Sequence, residues 1–437
     1  MSDLARSGRN ESSRGCKVAL GGWYGAANLG DELILSTFVD WVRAAGGIPG
    51  VISVHPAYTR ATLDVETASF TDLAEVVERI AACDLFVLGG GGLFQNYDAF
   101  DRASLSRFPA RNVSQFAQYF FLARELGVAT AVLGQGVGPL HTPDARDITA
   151  QVFSQADRCS VRDGESAQLL HAVGVKRIVP IAADPAWAFD REPHPIDLAQ
   201  RFPRLAGLRV LAIAVRDWPF DADWEPAFAT ALKASVPEGW GCLWLDFSRT
   251  PSQDALLVEG SEIAHRLIPL LGSERVHVVW DGMRVEEAFD LIAACDAIVA
   301  MRLHAALLGH LAGVPVVALE YDDKVRVLGD ELRVPADQRM SLTGIPSKLD
   351  TALRAVCNPQ SRPFRLDGEA RRRLARSALA HRDLLWRSME QSLRTRSPVP
   401  SHTPLLASWL DAAPQARGAV REALARRTRA RATPAGS

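Results

Sequence analysis

Arg302, His304 and Lys324 are the residues whose types and spacing could do chemistry together, in the stretch CDAIVAMRLHAALLGHLAGVPVVALEYDDKV over 295–325. Ala297–Ala300 is an apolar run of strand length, Ala305–Leu311 follows with helical spacing, Gly313 and Pro315 punctuate, and Val314–Leu319 is a second buried-strand run. Such a strand–helix–strand unit makes its two strands parallel, with a right-handed crossover. Arg302 and His304 then lie just past the first strand, and Asp322, Asp323 and Lys324 just past the second. Both sets project from the carboxyl edge of one sheet, where open α/β folds bind ligands. Arginine, histidine, lysine and a helix N-terminus on one edge make an anion site. Taken alone, His304 reads more simply as a satisfied core or capping histidine; its company favours function. Only five of the 49 basic side chains are lysine, so Lys324 stands against the chain's habit.

Three glycine-rich loops follow other strand-like runs. In GGWYGAANLGDE (21–32), Asn28 and Asp31 stand between a strand and a helix. Two readings stay open there: turn glycines with a helix cap, or a loop whose backbone nears a ligand while Asn28 and Asp31 hydrogen-bond sugar hydroxyls. Gly89–Gly92 has more glycine than a turn requires, and Gly90 and Gly91 suggest close approach of a ligand or of a facing domain. GQGVGP (134–139) is the third loop, and none of the three is a GxGxxG dinucleotide fingerprint. Arg162 in SVRD and Arg216 in VRDW each end a strand-like run, where a structural Arg–Asp pair is the plainer reading. Zinc spacing, HExxH, the P-loop and GxSxG are absent from the sequence, so metal and serine-hydrolase chemistry have no positive support in it.

Strand-like and helix-like runs alternate from Lys17 to Ala182 and again from Leu208 to Leu319. The expected class is α/β, with two doubly wound parallel-sheet (Rossmann-like) domains facing across a cleft. The expected boundaries are a disordered lead-in over 1–15, an N-terminal domain over 16–190, a linker over 191–207 and a C-terminal domain over 208–345. A C-terminal helical segment follows over 346–397, with one long helix from Gly368 to Leu393. A flexible basic tail over 398–437 ends the chain, solvated or, as the alternative, touching anionic lipid or polymer.

Composition agrees with such a chain. At 437 residues, 48% apolar and 23% charged, it has material for more than one core. A net charge of −2 argues against a dedicated nucleic-acid binder. The opening MSDLARSGRNESSRG has no apolar core of a secretory signal, and Arg302, His304, His310 and Pro315 interrupt the greasiest stretch, so no membrane span is expected. Six scattered cysteines without a CxxC pair read as reduced core residues of a cytoplasmic protein.

With YGAANLGDELIL, LFVLGGGGLFQ, LGQGVGPL, SVRDGESAQLL, ADPAWAF and MRLHAALLGHLAGVPVVALEYDDKV in order over about 20–326, the chain resembles the polysaccharide pyruvyltransferase family. RLH, then GVP, then YDxKV is the specific part; Asp323 departs from the proline the family more often has there. The resemblance implies a fold like that of GT-B glycosyltransferases, with the donor on the C-terminal domain and the acceptor mainly on the N-terminal one. It implies transfer of a pyruvyl group from phosphoenolpyruvate to a sugar of a cell-surface polymer or its lipid-linked precursor, with no cofactor and no metal, in the cytoplasm or at the inner face of the membrane. Arg162, His304 and Lys324 become the catalytic set, Arg302, Arg216 and Lys324 the donor-binding set, and Asn28, Asp31, Gly90 and Gly91 the acceptor-binding set. His304 is the expected proton donor, its ordinary pKa lying near neutrality. The alternatives are a nucleotide-sugar glycosyltransferase of the same fold, with Glu320 on the ribose hydroxyls, and a non-catalytic saccharide- or anion-binding protein.

Overall fold

Four- to six-residue apolar runs buried on both faces are what an all-parallel sheet requires, and the chain supplies two sets of them. The computed structural model describes residues 15–97, 100, 102–109, 113–218, 224–247, 262–272, 276–280, 284–358, 360–394 and 404–432. All but Gly15 of the expected lead-in lies outside these residues. The first set is β1 (Lys17–Gly21), β2 (Ile48–Ser53), β3 (Glu66–Ser69), β4 (Leu85–Leu88), β5 (Gly91–Asn96), β6 (Ala129–Leu140) and β7 (Arg158–Val161). They form one parallel sheet in the order β3-β2-β1-β4-β6-β5, with β7 also on β6. The second set is β8 (Arg209–Ala214), β9 (Trp240–Leu245), β10 (His277–Trp280), β11 (Ala297–Ala300), β12 (Val316–Glu320) and β13 (Arg339–Ser341). These form a parallel sheet in the order β10-β9-β8-β11-β12-β13.

Each sheet starts in its middle, winds one way, then returns to wind the other. The order therefore reverses between β1 and β4 in the first sheet and between β8 and β11 in the second. At such a switch point the connecting helices diverge to opposite faces and leave a crevice at the carboxyl ends of the strands. The helices that cover the sheets are amphipathic in the expected way. Leu73–Ala82 buries Leu73, Val76, Val77 and Ile80 on one stripe and is capped by Asp72, whose carboxylate accepts the amides of Ala74 and Glu75.

The chain divides into two compact units, and not where composition placed the boundary. One takes its described residues from Met1–Tyr24, Leu35–Ala182 and Ala380–Ser437, the other from Gly25–Ile34 and Ala183–Leu379. The stretch 191–207, expected as a linker, is built into the second unit. Arg191 holds Asp290 through two hydrogen bonds of 2.8 and 2.7 Å, the His194 amide donates to the same carboxylate, and Leu205 is buried in a 3-10 turn. The helix expected over 368–393 runs Gly368–Arg394, and its two ends fall in different units.

The basic tail is the largest correction. Residues 395–403 and 433–437 are outside the described set, but Pro404–Ala412 and Arg417–Ala432 are helices. Leu406, Trp409, Val420 and Ala423 enter the first unit's core. The Arg427 guanidinium is buried and donates to the carbonyls of Ala81, Cys83, Leu126 and Gly127, where two helices end. A few apolar residues spaced three apart are enough to dock a helix that is otherwise arginine and alanine. Among the described residues no helix is long and apolar enough to cross a membrane.

Candidate active site

Register aligns the second sheet's edge. Ala300 of β11 sits opposite Ala214 of β8 on one side and Ala318 of β12 on the other. Arg216, Arg302 and Glu320 are each two residues further on, so they leave the same edge around the switch point. The helix Leu303–Leu311 starts there with Arg302 at its N-cap, whose side chain does not cap its first amides. That leaves the helix's positive end on this edge, as expected for an anion site. Arg302 itself is buried. The helix after β12, Asp323–Leu332, is capped by Asp322, which accepts the Lys324 amide and lies 3.3 Å from Lys324 Nζ.

Between these elements stands Tyr321. Lys324 Nζ is 5.3 Å and the Arg216 guanidinium 5.6 Å from its ring centre, and Trp218 meets it edge-on at 4.7 Å. Burial pushes the Tyr321 phenol up, but Lys324 and Arg216 outweigh it and hold the group below its ordinary pKa. The aromatic face keeps two cations close to each other. Glu320, by contrast, is engaged by Arg339 at 2.8 Å.

His304 lies in the first turn of its helix, and two segments far away in sequence enclose it. Its Nε2 is 3.7 Å from Oδ2 of Asp184, which opens the 3-10 turn Pro185–Ala188 and accepts the Ala186 amide. Its ring also packs on Gly30: a Cβ there would overlap Nδ1 and lie 2.7 Å from Cγ. Gly30 lies in the first turn of the helix Leu29–Ala44, which follows the first glycine-rich stretch and which the Leu29 amide ties to the Phe247 carbonyl just past β9. Asn28 Oδ1 accepts the Gly30 amide at 3.3 Å. The Glu32 carboxylate turns back to accept the Gly25 amide at 2.7 Å, with Gly25 and Ala27 both in the left-handed region. Burial first, then the neighbouring Asp31 carboxylate, push the Glu32 pKa up to about 8. Asn28 and Asp31, expected on the N-terminal domain, are thus part of the second unit, because hydrogen bonds and close packing fasten residues 25–34 to β9 and to His304.

The first unit holds the other expected residues. Arg162 follows β7, its amide donates to the Gln135 carbonyl at 3.0 Å, and its guanidinium packs flat on Gly136, where a Cβ would lie 2.5 Å from Nε and Nη2. Asp163 caps the next helix and is 3.7 Å from Arg162 Nε. Gly90 is buried between β4 and β5, and Gly91 is the first residue of β5, opposite Gln135 of β6. The second unit therefore gathers Asn28, Asp31, Arg216, Arg302, His304 and Lys324, while Arg162, Gly90 and Gly91 share the edge of the first sheet.

Three residues beside the expected set were not singled out by spacing: Asp184, Gly30 and Tyr321. Asp184 had a legible signal, an Asp-Pro opening a short turn after an apolar run, and Tyr321 stood within YDDK. The Gly30 contact had none.

Two parallel α/β units with their polar residues at the switch points define a GT-B-like protein, and solved structures of that fold agree. The chain is similar to S. aureus MnaA bound to UDP, with a TM-score of 0.56 and 10% identity over 89% of this chain and 99% of that one. It is also similar to a putative UDP-N-acetylglucosamine 2-epimerase from Listeria monocytogenes, with a TM-score of 0.52 and 12% identity over 85% and 97%. Anabaena Alr3699/HepE in complex with UDP and glucose gives 0.51 and 14% over 87% and 98%. Such identities establish fold alone. The family described as polysaccharide pyruvyl transferase matches residues 28–323, from Asn28 to one residue short of Lys324, and the chain belongs to that family. The amylovoran biosynthesis protein AmsJ of Erwinia amylovora is 24% identical over 225 residues, 47% of this chain. The chain spans about half of that relative's length, 52%.

Proposed function

We propose that the protein transfers the pyruvyl group of phosphoenolpyruvate to two hydroxyls of one sugar in a polysaccharide or its lipid-linked precursor, forming a cyclic ketal and releasing phosphate. The observation that carries the reading is His304, held between Asp184 and Gly30 beside the Arg216–Tyr321–Lys324 cluster on one sheet edge. Family membership supports pyruvyl transfer to a polysaccharide; the donor, the ketal and the place of reaction at the inner face of the membrane are our reading.

The donor carries a phosphate and a carboxylate, and the helix N-terminus, Lys324 and Arg216 suit both. Protonation at C3 of the enol by His304 leaves an oxocarbenium-like centre at C2, which the first hydroxyl attacks, its proton returning to a base. Phosphate then departs, the second hydroxyl closes the ring, and its proton leaves with the phosphate. His304 is neutral after the first transfer and so can be that base. Asn28 and Asp31 are assigned to the acceptor with Gly90 and Gly91, and Arg162 to the donor. Glu320, the carboxylate a nucleotide-sugar transferase would use on ribose, is paired with Arg339, which weighs against that alternative.

Thermal shift with phosphoenolpyruvate, set beside a panel of nucleotide sugars, tests the donor. A ligand at a hundred times its Kd stabilises by about 2.7 kcal/mol. The expected result is a shift with phosphoenolpyruvate that Lys324→Ala and Arg162→Ala each abolish, and phosphate release once an acceptor is added. A shift with a nucleotide sugar alone would overturn the reading.

A further inference from the structure

The long helix Gly368–Arg394 lies outside the family match over 28–323 and carries no motif, yet one of its side chains is fully buried against the strand that leads to Arg162. His381 Nδ1 is 2.8 Å from the hydroxyl of Ser160, 221 residues away, and neither residue is exposed at all. Ser160 Oγ accepts the Gly134 amide at 3.2 Å. Gly134 stands within β6 with φ of 67°, where the pairing with β7 shifts register between Val132 and Gln135, and its amide is met by this side chain.

The residues that follow it in β6 are held as tightly. The Gln135 side-chain amide donates to the carbonyls of Leu88 and Gly89, and the Val137 amide donates to Ser166 Oγ at 2.9 Å. The Gln135 carbonyl receives the Arg162 amide, and Gly136 forms the floor on which the guanidinium lies. A planar guanidinium recognises an anion by direction as well as charge, so a tilt of its floor changes binding more than it changes stability.

We infer that His381 is a positioning residue for Arg162, acting through Ser160 and the irregular Gly134–Gly136 stretch of β6. This rests on the donor-binding role proposed for Arg162. It assigns a function to the C-terminal helix, which would otherwise be only a packing element. A buried hydrogen bond across 221 residues fixes one arrangement of this strand stretch, since leucine in its place would pack without setting any direction.

The test is a double-mutant cycle on the full chain, read as the KM for phosphoenolpyruvate and kcat, with the thermal midpoint recorded alongside. His381→Leu removes the contact, and His381→Asn offers an amide at the reach of Nδ1. Arg162→Lys keeps a cation but loses the planar fork. We expect His381→Leu to raise the KM about tenfold with little change in kcat, within the range such networks transmit. His381→Asn restores most of it, and His381→Leu adds nothing in the Arg162→Lys background. Where His381→Leu does not fold, Ser160→Ala takes its place in the cycle. A lower thermal midpoint with an unchanged KM, or the same factor in both backgrounds, overturns the inference. An Arg162→Lys protein with unaltered KM instead overturns the role given to Arg162 itself.

Discussion

At the switch point of the first sheet, between β1 and β4, the chain places Gly21, Gly22 and Gly89–Gly92, with Gly134–Gly138 alongside and one buried cation, Arg162. At the switch point of the second, between β8 and β11, it places Arg216, Arg302 and His304, with Tyr321 and Lys324 next to them. The winding is the same and the furnishing is opposite. Glycine bares backbone amides and carbonyls, which suit a neutral, hydroxyl-rich surface but supply little field. Cations around an aromatic ring and a helix N-terminus supply field, which a small dianion requires. On the proposed function, one topology would serve two kinds of ligand by side-chain choice at the strand ends.

The comparison breaks first at His304. His304→Ala should lower phosphate release about 10²–10⁴-fold while the thermal shift with phosphoenolpyruvate survives, because a proton donor is removed and the cations are kept. Loss of the shift together with the rate would make the ring a binding group instead. Arg427→Ala tests the opposite end of the first sheet, away from either edge compared above. Four carbonyls would lose a buried charged donor, so we expect a loss of about 3 kcal/mol in urea unfolding. Turnover per folded molecule should not change.

Two alanine substitutions sharpen the contrast further. Gly30→Ala sets a methyl into the His304 ring, and Gly136→Ala sets one into the Arg162 guanidinium. If His304 moves the proton and Arg162 reaches the donor as proposed, the first lowers kcat and the second raises the KM for phosphoenolpyruvate. Each change is expected at about tenfold to a hundredfold, the cost of displacing a reacting or clamping group by an ångström. The same split in both variants would mean that the edges are not specialised.

Much of the fold is legible in the sequence. The strand–helix–strand unit at 295–325 has long apolar runs and hard punctuation, and β11 falls on the expected residues, Ala297–Ala300. Parallel topology follows from alternation, and the site's edge follows from topology. What was illegible shares one cause: it depends on contacts between distant segments. Residues 25–34 carry no sign that Leu29 reaches Phe247 or that Gly30 meets His304. Prolines break the chain at 398, 400, 404 and 414 and arginines crowd 417–431, which hides the docking that Leu406, Trp409, Val420 and Ala423 provide. His381 reads as one more polar residue in an arginine-rich helix until Ser160 is found opposite it.

The last test concerns the start of the helix Leu29–Ala44, whose Gly30 packs on the His304 ring. Glu32 is buried with its carboxyl turned to the Gly25 amide and Asp31 beside it, and its pKa stands at about 8. The folded chain therefore holds this proton more tightly than the unfolded chain, whose glutamate titrates near the ordinary 4.5. Stability from this group is complete below the ordinary value and falls as pH rises through the folded one, by about 1.4 kcal/mol per pH unit, before levelling off. Glu32→Gln keeps an acceptor for Gly25 and cannot ionise, so its urea midpoint should lack this fall, while every other titrating group contributes to both proteins alike. Subtracting the two curves between about pH 5 and pH 8 isolates the residue. Superimposable curves would mean that the carboxyl is solvated, and the helix start would then owe its place against His304 to Leu29 and Gly30 alone.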